Sequence, residues 1–126
     1  MVHPAAGKRV LLIDDDQLVR SLFELEMAKD FSVAVAEDGA KGLAAVAAFK
    51  PHLIVLDLMM PFLDGFEVIQ QLQVRGFKDI PVLVITGDGD QANESIVSKE
   101  PNVAAFFHKP LKFHELIAKI NSLLAA

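Results

Sequence analysis

Five short apolar runs set the terms for any fold this chain can adopt: "RVLLI" at 9–13, "SVAVA" at 32–36, "LIVL" at 53–56, "VLVI" at 82–85 and "VAAFF" at 103–107. Three of them are unbroken and rich in Val, Ile and Leu, as strands buried on both faces must be. The segments between them carry helical spacing. Val19, Leu22, Phe23, Glu26 and Met27 mark a first helix with one apolar stripe, and Asp16 is placed to cap its start. Asp38-Gly39 opens a second, Ala-rich helix that must stop before Pro51. A third runs from Gly65 to about Arg75, with Gly76 as terminator. Residues 91–99 give a weaker fourth. In the last, Leu116, Ile117, Ile120, Leu123 and Leu124 share one face. Strand then helix, five times, predicts an α/β fold: βαβ crossovers, a parallel sheet and helices on both faces.

The chain has 126 residues, 52% of them hydrophobic, which suits one compact domain. Residues 1–8 read as a flexible tail and 9–126 as a single domain with no second domain attached. The longest apolar run, Leu43 to Phe49, is seven residues, too short to span a bilayer. The opening "MVHPAAGKR" lacks the apolar middle of a secretory signal. Without cysteine there are no disulfides, thiolate metal sites or thiol nucleophiles. These features fit the cytoplasm. A net charge of −5 with no basic run argues against direct nucleic-acid binding.

Ligands of open parallel sheets sit beyond the carboxyl ends of the strands. The first run delivers Asp14 and Asp15 there, the third Asp57, the fourth Thr86, and the fifth Lys109 followed by Pro110. Singly, each has an ordinary explanation. An Asp at a strand end caps a helix or forms a turn, a Thr bonds its own backbone, and a Lys is solvated. Those explanations do not account for five polar groups at equivalent ends of four strands. If the first and third strands are neighbours, three carboxylates converge, and their repulsion favours a hard divalent cation, magnesium or manganese. One carboxylate is then free to act as a nucleophile toward phosphorus. Lys109 and Thr86 would neutralise and hydrogen-bond the phosphoryl oxygens, the usual division of labour in phosphoryl transfer.

The blocks "LLIDDDQLVR", "IVLDLMMPFLDGFEV", "VLVITG" and "FFHKPL" resemble the response-regulator receiver domain, the phosphoacceptor module of two-component signalling, over about residues 8–124. The resemblance implies a flavodoxin-like (βα)5 three-layer sandwich with strand order 2-1-3-4-5. It implies that Asp57 accepts a phosphoryl group from a histidine kinase or histidine phosphotransfer protein. It also implies that Asp14, Asp15, Asp57 and the backbone carbonyl of Met59 hold Mg2+, that Asp16 stays outside the metal shell, and that the Lys109–Pro110 peptide is cis. Thr86 and Phe106 would be the switch pair that passes phosphorylation to the surface of the fourth helix, fifth strand and fifth helix, and so to a downstream effector. The chain would act on itself, taking up and losing its own phosphoryl group, rather than turning over a substrate. Dimerisation across the last helix is compatible with the sequence, which supplies no argument for it.

Several positions depart from the family pattern. Gly87 follows Thr86 in "TGDGD", a stretch with the composition of a mobile loop. Pro101 shortens the fourth helix, and Lys112 stands where a capping side chain is common, although Glu115 still suits a helix start. His3, His52, His108 and His114 have no ligand spacing and read as surface residues. Two other readings compete. One is a receiver-like module that binds partners without phosphate, against which intact Asp57, Thr86 and Lys109 stand. The other is a magnesium-dependent phosphohydrolase with an aspartyl nucleophile. That chemistry needs an acid two residues after the nucleophile, where this chain has Met59.

Overall fold

The computed structural model describes residues 7–60, 64–87 and 91–125. Ten elements alternate: β1 (Arg9–Ile13), α1 (Gln17–Met27), β2 (Ser32–Ala36), α2 (Gly39–Phe49), β3 (Leu53–Asp57), α3 (Gly65–Val74), β4 (Val82–Thr86), α4 (Gln91–Val97), β5 (Val103–His108) and α5 (Phe113–Leu124). The strands form one sheet in the order β2-β1-β3-β4-β5, and every neighbouring pair is parallel. The flavodoxin-like arrangement expected from the sequence is the one observed.

Period-two alternation splits the apolar side chains between two cores. Leu11, Ile13, Ile54, Leu56, Val82 and Val84 face α2, α3 and α4, meeting Leu43, Val46, Val68, Ile69, Leu72 and Val97. Val10, Leu12, Leu53, Val55, Leu83 and Ile85 face the other way, onto Phe23, Met27, Leu116 and Ile120 of α1 and α5. Three layers result. Every residue of β3 and β4 is buried, whereas the edge strands β2 and β5 are only partly covered. That is why the continuous apolar runs occupy the centre.

Helix starts follow the capping residues. Asp16 Oδ1 accepts from the N–H groups of Leu18 (2.9 Å) and Val19 (3.4 Å). Asp38 accepts from Lys41 N and Asp64 from Glu67 N. Each cap satisfies a donor that the first helical turn leaves free. α5 begins on Lys112 with no side-chain cap, and Glu115 lies in its first turn, where the helix dipole favours an acid. Two expectations are corrected. Leu22 is 41% exposed, because the buried stripe of α1 is narrower, Phe23 and Met27 with the partly buried Val19. α4 closes at Val97 rather than 99 and is followed by a turn in which Glu100 N donates to Val97 O, just before Pro101.

The amino-terminal end of the sheet is cross-tied. Gln73 Nε2 on α3 donates to Glu100 Oε2 (2.9 Å) and Asn102 Oδ1 (2.8 Å), and the buried Asn102 returns its carbonyl to Val82 N. Nearby, Arg9 N donates to His52 Nδ1 at 3.0 Å. Of the segment read as a tail, residues 1–6 lie outside the described residues; Gly7 N reaches Asp30 O, and Lys8 O accepts from Ser32 N. Residues 88–90, within "TGDGD", and 61–63, within the "DLMMPFLDG" block, also lie outside them.

Candidate functional site

β1 and β3 lie side by side, so Asp14 and Asp57 leave the sheet next to each other. Asp14 is fully buried and Asp57 only 2% exposed, while Asp15 faces solvent. One oxygen from each of Asp14, Asp15 and Asp57 falls within 4.8 Å of the others. The ladder carries this geometry past the strand ends: Asp14 N donates to Ala36 O and Leu58 N to Ile85 O. Two short turns aim the carboxylates. Asp14 Oδ1 accepts from Asp16 N at 2.9 Å, and Asp57 Oδ1 from Met59 N at 3.1 Å.

Gly65 holds the start of α3 against the end of β3. Its N–H donates to Leu58 O at 3.1 Å. A β-carbon there would lie 2.7 Å from Leu58 Cα and 3.0 Å from the Asp57 carbonyl oxygen, so only glycine lets α3 approach this closely.

Lys109 reaches the acids from β5. Its Nζ lies 3.2 Å from Asp14 Oδ2 and 3.4 Å from Asp57 Oδ2. The Lys109–Pro110 peptide is cis, and Lys109 N donates to Thr86 O at 2.8 Å. One ammonium cannot balance three carboxylates. Burial and the neighbouring Asp14 charge push the Asp57 carboxyl up to about 7, against the opposing pull of Lys109 and the Met59 N–H. Burial works against the Lys109 charge, but Asp57 and Asp14 outweigh it and raise the ammonium above its ordinary value.

The site suits a small divalent cation. Asp14 Oδ2 is buried and receives no hydrogen bond, although the Lys109 ammonium is within ion-pair range. All the donors are hard oxygens, the set that magnesium or manganese prefers.

Thr86 is fully buried at the end of β4. Its Oγ1 sits 3.2 Å from Nδ1 of His108, whose Nε2 lies 3.5 Å from Glu94 Oε1 on α4. Phe106 is partly buried and lines a cleft of about 460 Å³ with Glu94, Ser95, Ser98 and His108.

Of the residues picked from the sequence, Asp14, Asp15, Asp57, Thr86 and Lys109 converge on this end of the sheet, and the Met59 backbone joins them. His108 lies at the surface as read from the sequence, with half its side chain exposed, and both its ring nitrogens also face partners. The signal was available in strand parity, since His108 follows Phe106 by two and so shares its face. Arg20 was also missed; its Nη1 donates to the Asp14 carbonyl at 2.9 Å.

The family model of the response regulator receiver domain matches residues 10–121. The chain belongs to that family. It is 38% identical to the response regulator MprA of Mycobacterium leprae and 37% identical to that of Mycolicibacterium vanbaalenii, each over 117 residues, or 92% of this chain. Those matches cover 50% of either relative, so the chain spans about half the length of the curated relatives it matches. Among solved structures, the receiver domain of the Francisella response regulator 1452 superposes with a TM-score of 0.82 at 26% identity, covering 94% of this chain and 97% of that one. The described part of this receiver domain has no helix long and apolar enough to cross a membrane.

Proposed function

We propose that this receiver accepts a phosphoryl group on Asp57 from a phosphohistidine of a histidine kinase or histidine phosphotransfer protein. The observation that carries the reading is the convergence of Asp57 with Asp14, Asp15 and Lys109 at the carboxyl ends of adjacent strands. An Asp57 oxygen attacks phosphorus; the new O–P bond forms as the P–N bond breaks, and the departing imidazole keeps the electron pair and takes a proton from solvent. Asp14, Asp15, Asp57 and the Met59 carbonyl would hold the divalent cation, which when bound supplies positive charge between the incoming phosphoryl oxygens and the carboxylates. Lys109 is already within reach of Asp57 and gives the phosphoryl group a second positive neighbour.

Thr86 would donate its hydroxyl to a phosphoryl oxygen. Phe106 would move toward the space this vacates, changing the α4–β5–α5 surface presented to a downstream effector or to a second copy of the chain. The chemistry is confined to gaining and losing this one group, and the chain would work in the cytoplasm, where kinases hold their phosphohistidines. Hydrolase action is disfavoured because the Met59 side chain, 59% exposed, is a thioether that cannot serve as acid or base.

The test is incubation with a small-molecule phosphodonor and Mg2+, followed by intact mass. A phosphate adduct is expected on the wild type and on Asp79→Asn, and none on Asp57→Asn. An adduct that persists on Asp57→Asn would sink the assignment.

A further inference from the structure

The Thr86 hydroxyl has one proton, and phosphoryl oxygens can only accept. That proton therefore has to be available for the switch to engage. In this structure it has another destination, 3.2 Å away at His108 Nδ1. His108 Nε2 faces the Glu94 carboxylate at 3.5 Å, and a carboxylate accepts only, which favours the ring tautomer with its proton on Nε2. Nδ1 then has a lone pair, and Thr86 must be the donor. Backbone pairing holds the two residues in register across β4 and β5, and Lys109 N fixes the Thr86 carbonyl.

We propose that His108 is a positioning residue: with its tautomer set by Glu94, it ties up the Thr86 proton and holds the unphosphorylated state off. The inference rests on the phosphoacceptor reading of Asp57. It assigns to His108 an anchoring role that Phe106, lacking any polar atom on its ring, cannot perform. Phosphorylation breaks the Thr86–His108 bond and frees the ring toward the cleft it lines with Glu94, Ser95, Ser98 and Phe106. The signal thus reaches α4 through a side-chain hydrogen bond as well as through packing.

Two measurements on the full chain test this. The first is the ring 15N spectrum of His108 in the unliganded protein. Nδ1 is expected to resonate as a bare acceptor and Nε2 as a bonded N–H, and Thr86→Val should shift Nδ1. An Nδ1 signal indifferent to Thr86→Val overturns the proposal. The second is the affinity for beryllofluoride with Mg2+, a phosphoryl mimic. His108→Phe, a change at a half-exposed residue, is expected to bind about fivefold more tightly, the value of one ordinary hydrogen bond. Glu94→Gln, which keeps an acceptor oxygen facing Nε2, should match the wild type, and Glu94→Leu should fall between. Equal or weaker binding by His108→Phe while the wild type binds overturns the lock alone. No binding by either protein overturns the phosphoacceptor reading and the lock with it.

Discussion

Lys109 Nζ stands 3.4 Å from Asp57 Oδ2, the only ammonium the described residues bring to this almost fully buried carboxylate. It also lies 3.2 Å from Asp14, so one side chain offsets the repulsion between two acids. Lys109→Ala is expected to cost the metal-free protein roughly 1–3 kcal/mol at neutral pH, less than breaking a fully buried pair because the lysine is partly exposed. The loss should shrink in acid as the carboxylates take up protons. Urea denaturation across pH reads both effects.

Asp57 itself should behave in the opposite sense. Its carboxyl is raised from the ordinary 3.8 to about 7, first by burial and then by Asp14. A group raised on folding gives its full stabilisation below the unfolded value and loses it as pH rises through the folded one. Relative to Asp57→Asn, the metal-free wild type should therefore weaken as pH climbs from about 4 to about 7. Asp57→Asn should lack this part of the pH dependence and be more stable than the wild type above that window, by roughly 1–3 kcal/mol. Thermal unfolding in chelator at several pH values checks this.

Adding Mg2+ should reverse the penalty. A ligand at a hundred times its dissociation constant stabilises by about 2.7 kcal/mol. The melting temperature is expected to rise with Mg2+ in the wild type and to rise far less in Asp14→Asn or Asp15→Asn. Equal rises in all three would place the cation elsewhere.

Gly65→Ala tests the close approach of α3 to the end of β3. Its new methyl group would meet Leu58 Cα and the Asp57 carbonyl, both backbone atoms that cannot step aside cheaply. A loss of about 1–3 kcal/mol is expected, with slower phosphorylation from a small donor because Asp57 moves with its backbone. Gly87→Ala, where a β-carbon meets nothing within 4 Å, is the control and should be near neutral in stability.

At the other end of the sheet, His52 accepts the Arg9 N–H through Nδ1, and burial, with Arg9 and Lys8 nearby, lowers its pKa. A histidine lowered on folding keeps its contribution above the unfolded value, about 6.5, and loses it as pH falls. Wild-type stability should drop below that point more steeply than that of His52→Gln, whose amide oxygen accepts without titrating.

The β/α order, both cores and the residues at the strand ends were legible because each follows from a local rule: a buried strand reads as an unbroken apolar run, and a parallel sheet exposes its chemistry at one end. Leu22 and the length of α4 were misread because helical periodicity marks a face without saying how wide the neighbouring layer is. The Thr86–His108–Glu94 chain could not be read from spacing. Its members come from three elements, and their meeting depends on the β4–β5 register, which shifts at Val82/Leu83. The role of Gly65 stayed hidden for a similar reason, since the clash it avoids is with Leu58 and Asp57 on another element's approach.

The Gln73 amide, which joins α3 to Glu100 and the buried Asn102, has a directional consequence. It staples the lower rim of the molecule, so α4 and β5 are moored where no chemistry happens. A displacement begun at the upper rim would then fan outward from that mooring, as a page turns about its binding, and be greatest beside Asp57.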